Sequence, residues 1–216
     1  MKTNFSHKFI AIEGNIGAGK TTLCKMIAED YGSRLILEAF SDNPFLPYFY
    51  ENPERYAFSV ELFFMTERHK QLQDELKQTN LFQDNVVSDY FFLKTLLFAK
   101  NNLSDEEYRL FQRLFHILNA HFPNPDLLVY LHRPVEQLLR HIQKRARSFE
   151  SEISADYLTQ IQQAYLDYFK SVHEVPILLI ELEDLDFTTS ASGYARILEL
   201  IHADYTPGIH YRNALG

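Results

Sequence analysis

The run Gly14-Asn-Ile-Gly-Ala-Gly-Lys20-Thr21 fits G-x-x-x-x-G-K-[ST], a spacing with a definite physical use. Glycines let the backbone curl round an anion, so that successive N–H groups and a helix N-terminus face phosphate. Lys20 would neutralise the outer phosphates and the Thr21 hydroxyl would hold Mg²⁺. The flanks agree, with a strand-like run from Phe9 to Ile12 before the loop and a helical pattern starting near Lys20. The loop predicts a nucleoside triphosphate site, but by itself it does not choose the acceptor.

Acidic and basic residues further on address the acceptor. Glu38 closes the apolar run Leu35 to Leu37, at the edge where open parallel sheets place ligands. A carboxylate there suits a base or anchor for a neutral hydroxyl, whereas a phosphate-bearing acceptor calls for a cation. A solvated strand-end glutamate is the plain alternative. Asp89 ends the third run, the usual place of a carboxylate that positions Mg²⁺, or else it caps the next helix. Glu61, Met65 and Arg68 share one helical face, with Glu61 and Arg68 roughly 10 Å apart along the axis. An acceptor and a donor bracketing an apolar residue suit the polar edge of a nucleobase; they equally suit a charged flank beside a core stripe. Arg140, Lys144, Arg145 and Arg147 crowd together, and spacing puts Arg140, Lys144 and Arg147 on one helical face. They read as a phosphate-closing lid or as cations drawn to a helix C-terminus. The histidines, His116 and His121 among them, show no metal-ligand spacing.

The elements that must position these residues follow from hydrophobic pattern. Phe9 to Ile12, Leu35 to Leu37, Asn85 to Ser88, Leu127 to Leu131 and Ile177 to Ile180 are short, nearly all apolar, and separated by helical patterns. That alternation predicts an α/β fold with a five-stranded parallel sheet covered by helices on both faces. Helices are expected over 54–78 (Phe58, Leu62, Met65, Leu72 and Leu76 recur), from a capping box at Ser104 to about Ala120, and from Pro134 into the basic cluster. At 216 residues the chain suits one domain.

A formal net charge of −8 argues against nucleic-acid binding. The single cysteine, Cys24, has no partner for an internal disulfide. No apolar run approaches the ~20 residues of a membrane span, and Met1 to Lys8 lacks a signal core. The expected setting is the cytoplasm, away from membranes.

Taken together, GNIGAGKTT, Glu38 with DNPFLPYFYENP, FSVELFFMTERHKQL and KRARSFE resemble the deoxynucleoside kinase family over roughly Lys8 to Phe187. The resemblance implies a P-loop kinase that uses ATP and Mg²⁺ to phosphorylate the 5′-hydroxyl of a deoxynucleoside, and a homodimer. Carried over by position, Gly14, Asn15, Ile16, Gly17, Ala18, Gly19, Lys20, Thr21 and Thr22 hold the triphosphate. Glu38 is the base or anchor for the 5′-hydroxyl, and Tyr50 and Glu150 hold the sugar 3′-hydroxyl. Arg145 and Arg147 belong to a short lid over about 141–152. Position 61 faces the base with Arg68 beside it, and Glu183 to Phe187, including Asp184, matches the loop over the adenine of ATP. A monophosphate kinase of thymidylate type and a non-catalytic nucleotide-binding regulator are the alternatives.

Three departures from the family pattern stand out. Tyr90 replaces an arginine near the 5′-oxygen, for which Lys94 or a lid arginine is the substitute, and either Glu38 or Asp89 could take the proton. Glu61 replaces a glutamine, and an ionised glutamate only accepts hydrogen bonds, which points to guanine; a protonated one suits adenine. Thr95 stands where Asp is frequent. The lean is toward a purine.

Overall fold

The computed structural model describes residues 7–38, 43–77, 85–119, 123–147, 150 and 152–215. His121, Asp42 and part of the expected lid (148, 149 and 151) lie outside them. The strands are β1 (Phe9–Gly14), β2 (Arg34–Ile36), β3 (Val86–Ser88), β4 (Leu127–His132), β5 (Pro176–Glu181) and β6 (Gly208–Asn213). The helices are α1 (Lys20–Tyr31), α2 (Leu46–Phe49), α3 (Pro53–Lys77), α4 (Lys94–Asn102), α5 (Asp105–Asn119), α6 (Val135–Arg145), α7 (Ala155–Ser171) and α8 (Ala191–His202).

All strand pairs are parallel, in the order β2-β3-β1-β4-β5-β6. The chain leaves β1 toward the β2–β3 side and later crosses back to β4, so the strand order reverses at β1. In open parallel sheets the carboxyl end of such a strand is where ligands sit. The phosphate-loop motif leaves β1 there, Glu38 follows β2 and Asp89 follows β3.

Among the described residues the sheet has six strands where five are expected. Gly208-Ile-His-Tyr-Arg-Asn is an edge strand with a neighbour on one side, and Tyr211 is 60% exposed. Its mixed polarity hides it from a search for fully apolar runs. The other expected strands and helices appear close to their predicted positions.

Apolar packing covers both faces. Leu23 and Ile27 of α1, Leu138 and Ile142 of α6, and Ile197 and Ile201 of α8 cover one face. Ile161, Tyr165 and Phe169 of α7, with Leu97 of α4, cover the other. A third cluster joins Phe49, Val60, Phe64, Met65, Phe92, Phe111 and Phe115 beyond the sheet ends. Phe92 and Phe115 stack there with centroids 5.0 Å apart. Burying such a ring contributes about 2 kcal/mol, so this cluster fixes α3 and α4 as firm walls for whatever lies between them and the sheet.

One prediction about the basic segment fails. The helix α6 ends at Arg145, and Ala146 takes a left-handed φ of 54°, which turns the chain. Arg147 therefore leaves the helical face it was expected to share with Arg140 and Lys144.

Candidate active site

A single cavity brings the motif and most of the predicted side chains together. Its walls include Gly17, Gly19, Lys20, Thr21 and Thr22, then Glu38, Tyr50, Glu61 and Arg68, and finally Arg145, Arg147 and Glu150.

The motif end is shaped mostly by backbone. Gly17 has φ 83°, and a Cβ there would meet the Leu138 carbonyl oxygen at 2.8 Å. Gly19 has φ 98°, and its Cβ would press on the Phe187 ring at 3.0 Å. Only glycine combines those angles with that proximity. Ala18 is buried, its N–H bonded to the Asn15 carbonyl at 3.2 Å. Asn15 stiffens the turn, donating to the Leu158 carbonyl at 2.7 Å and accepting from the Ile16 N–H at 2.8 Å. Lys20 arches over the loop and donates to the carbonyls of Gly14 and Asn15, each at 2.9 Å. Burial, helped by the nearby Lys94 ammonium, lowers Lys20 to about 8.

Arg133, which the sequence reading passed over, holds this loop from behind. Its guanidinium donates to the carbonyls of Ala18 (3.3 Å), Glu183 (3.1 Å) and Leu185 (2.7 Å), tying the loop to the segment after β5. Asp184 lies on that segment, exposed, and accepts from Gln137 and from Arg140 at 3.4 Å.

Asp89 joins the two ends of the cavity. One of its oxygens accepts from the Thr21 hydroxyl at 2.5 Å and the other from the Glu38 backbone N–H at 2.7 Å. A hydroxyl and a carboxylate converging this way fit Mg²⁺, which takes few protein ligands and completes its shell with phosphate and water. Among the described residues no group of three or more His, Cys, Asp or Glu gathers round a metal.

Glu38 is buried and held between two cations. Arg68 donates to its Oε1 through both Nε (2.7 Å) and Nη2, and Lys94 donates to its Oε2 at 2.7 Å. Burial pushes the carboxyl up, but Arg68 and then Lys94 outweigh it and bring Glu38 down to about 2. Arg68 is thus anchored to Glu38, with its Nη1 on Thr95 Oγ1 at 2.8 Å, rather than only standing beside Glu61. Thr95, where an aspartate would compete for Arg68, leaves that guanidinium to Glu38. Met65 faces the core, and Phe64 is the apolar residue between Glu61 and Arg68 in the cavity wall. The Arg68 guanidinium carbon lies 5.2 Å from the Phe64 ring centroid.

Glu61 carries the opposite perturbation. Its Oε1 accepts from Asn102 at 2.7 Å, while its buried Oε2 has no hydrogen-bond partner. Burial raises Glu61 to about 7. Asn102 also donates to the Tyr157 hydroxyl at 3.3 Å, and both residues line the cavity. Neither was singled out from sequence, because amide and phenol groups carry no spacing signal.

At the mouth, Arg145 donates to both oxygens of Glu150 (2.6 and 2.5 Å) and Arg147 reaches the same carboxylate at 3.4 Å. Tyr50 shares this wall, its phenol pKa pushed up by burial and the Glu150 charge. Tyr90 turns elsewhere, buried against Ile36 and Val86 with its hydroxyl on Gln71 at 2.9 Å. No helix among the described residues is long and apolar enough to cross a membrane.

Known proteins resemble this chain over most of its length. The chain is 35% identical over 193 residues to a deoxyguanosine kinase of Bacillus subtilis (strain 168), covering 88% of this chain and 93% of that one. It is 28% identical over 199 residues to the deoxyadenosine/deoxycytidine kinase of the same organism, covering 90% and 92%. The fold matches a solved deoxyadenosine kinase from M. mycoides with bound dATP at a TM-score of 0.75 and 24% identity, over 88% of this chain and 99% of that one. Residues 10–205 match the family model for deoxynucleoside kinases, and the chain belongs to the deoxynucleoside kinase family.

Proposed function

We propose that the protein moves the γ-phosphoryl group of ATP onto the 5′-hydroxyl of a purine deoxynucleoside, with Mg²⁺ held by Thr21 and Asp89. The observation that carries this reading is Asp89, which links the Thr21 hydroxyl to the Glu38 backbone across one cavity. The residue suited to the metal and the carboxylate suited to the hydroxyl are thereby held in fixed relation.

The loop from Gly14 to Thr22 cradles the phosphates, and Lys20 neutralises the oxygens that gain charge. Arg145 and Arg147 close over the transferring group, and Asp184 lies near the adenine. Mg²⁺ held by Thr21 and Asp89 would supply neutralisation of phosphate charge. Glu38, held ionised, orients the hydroxyl. The 5′-oxygen forms its bond to γ-phosphorus, the bond to the bridging oxygen breaks toward ADP, and the hydroxyl proton passes to Glu38. Phosphoryl transfer asks little of a base, so a weakly basic carboxylate is sufficient and positioning is the larger contribution. Tyr50, a neutral phenol, and Glu150 hold the 3′-hydroxyl.

The base meets Glu61. When ionised it accepts from the N1–H and N2–H₂ groups of guanine; when protonated it can donate to adenine. Guanine is the base that an ionised Glu61 favours. The chain works as one domain, in a homodimer, in cytoplasmic nucleotide salvage.

Incubation with ATP, Mg²⁺ and a panel of deoxynucleosides and their monophosphates tests this. Deoxyguanosine and deoxyadenosine are expected to yield 5′-monophosphates. Turnover of dTMP without any nucleoside would make the protein a monophosphate kinase. ATP binding with no acceptor consumed would make it a regulator.

A further inference from the structure

Helix α4 ends in Asn101 and Asn102, and Asn102 lines the cavity beside Glu61 and Tyr157. Its amide nitrogen donates to Glu61 Oε1 at 2.7 Å and to the Tyr157 hydroxyl oxygen at 3.3 Å. Its own Oδ1 accepts from the Asn101 amide at 3.1 Å. These partners fix which way the amide faces, since reversing it would set Oδ1 against a carboxylate oxygen, acceptor against acceptor.

The use of this contact lies in what it leaves open. Glu61 is 2% exposed and Oε1 is taken by Asn102, while among the described residues Oε2 has no hydrogen-bond partner. A carboxylate held by a donor at one oxygen offers acceptor lone pairs at the other, whereas a protonated carboxyl becomes a donor.

We propose that Asn102 is a specificity-determining positioning residue: by holding Oε1 it keeps Glu61 an acceptor toward the base at Oε2, and so sets a preference for guanine over adenine. This rests on the phosphoryl-transfer reading above and names the residue behind its choice of base.

The other groups round Glu61 leave the decision to Asn102. Arg68 of α3 and Lys94 of α4 favour the charged carboxyl, but both are bound to Glu38, whose own charge works against them. Tyr157 of α7 and Tyr50, after α2, face it as phenols that burial keeps neutral. At the mouth, Arg145 and Arg147 are paired with Glu150. Burial pushes Glu61 up to about 7, and the Asn102 hydrogen bond comes ahead of either cation in holding it down. Loss of that one donor is therefore enough to turn Glu61 from acceptor to donor near neutral pH. Guanine, with N1–H, and adenine, with a bare N1, differ in that demand.

The test follows kcat/KM for deoxyguanosine over that for deoxyadenosine as pH is varied. In the wild type this ratio should rise with a midpoint of about 7. Asn102→Asp, which trades the donor for a like charge, should move the midpoint up by about one pH unit or more. At about pH 7.5 the ratio should fall about fivefold or more, with KM for ATP within about threefold. Asn102→Leu, which removes the donor alone, should move the midpoint in the same direction. A merely structural role would weaken both nucleosides together and leave the midpoint in place, and that outcome overturns the inference. In a Glu61→Met background, Asn102→Asp should change the ratio by less than about twofold. A change there as large as in the wild type would mean that Asn102 acts without Glu61, which also overturns it. Should neither Asn102 variant fold, a crystal structure of the wild type with deoxyguanosine decides. Asn102 Nδ2 is expected within about 3.2 Å of Glu61 Oε1, with guanine N1 or N2 on Oε2; an amide that has left Glu61 for the base overturns the inference. A wild type that phosphorylates no nucleoside defeats the functional reading and this inference with it, a result distinct from a ratio that the Asn102 variants leave unmoved.

Discussion

The two ends of the cavity are built from different materials. The phosphate-loop end is made of backbone: glycine conformations, carbonyls that hold Lys20 and Arg133, and a helix N-terminus. The Glu38 end is made of side chains from distant elements, namely Glu38 after β2, Arg68 on α3, and Lys94 and Asn102 on α4. A backbone surface recognises a group common to all nucleoside triphosphates and leaves few positions free to vary. A side-chain network can be retuned one residue at a time, so under the function proposed above the choice of acceptor belongs at the Glu38 end.

The sharpest way to break this division is to remove one charge from each end. Lys20→Met is expected to lower kcat by about 10³-fold while nucleoside affinity stays within about threefold. Glu38→Gln is expected to cost about 10²- to 10³-fold while ADP affinity is unchanged. Titration calorimetry with each ligand alone reads both. If either variant loses both ligands together, the cavity is one coupled unit and the division is wrong.

Glu61 gives the next effect, in selectivity and in stability. Its folded pKa of about 7 lies above the ordinary 4.5, so the protonated form is favoured in the folded state. Stability from this group is complete below about pH 4.5 and declines as pH rises through about 7, by roughly 3 kcal/mol. Glu61→Gln should remove that slope, melting several degrees above the wild type at pH 8 and close to it at pH 5. Glu38 acts in the other direction, its contribution lost as pH falls from about 4.5 toward about 2. In the wild type, kcat/KM for deoxyguanosine relative to deoxyadenosine should climb with pH through about 7. In Glu61→Gln that ratio should be flat and shifted toward adenine by about tenfold. A flat wild-type ratio would remove Glu61 from base selection.

Arg133 tests the backbone end without touching a phosphate. It is 4% exposed, and Arg133→Ala strands the carbonyls of Ala18, Glu183 and Leu185. The expected cost is about 2–3 kcal/mol, with a higher KM for ATP and an unchanged KM for nucleoside. A rise in nucleoside KM instead would mean that Arg133 supports the acceptor wall.

The same contrast governs what could be read from the chain. Gly14 to Thr21 was legible because a local spacing encodes a local shape, and the five apolar runs gave the strands because each is buried on both faces. β6 escaped, since an edge strand need not be apolar throughout. Arg147 was misplaced by helical periodicity because the helix stops before it, at a left-handed Ala146. Arg68 was found as a residue, but its anchorage to Glu38 was not, because the two are 30 positions apart and nothing local couples them. Asn102 and Arg133 share that limitation, each meaningful only through a partner on another element.

The smallest expected effect probes the element that touches both ends. Helix α7 presents Tyr157 to the acceptor wall, while the Leu158 carbonyl receives the Asn15 amide of the phosphate loop. Ser154 caps this helix, its hydroxyl accepting from the Tyr157 N–H at 3.1 Å. Ser154→Ala should cost about 1 kcal/mol, and Ser154→Asp should restore it, since a carboxylate caps as well and favours a helix N-terminus. Loss of the cap loosens the first turn, which contains Tyr157, whereas Leu158 is also held by its N–H on the Ser154 carbonyl at 3.2 Å. Nucleoside KM should therefore rise about two- to threefold while ATP KM holds, as measured by steady-state kinetics beside a melting curve. A rise in ATP KM alone would show that the cap is felt first through Leu158 and Asn15, making α7 a support of the phosphate loop rather than of the acceptor wall.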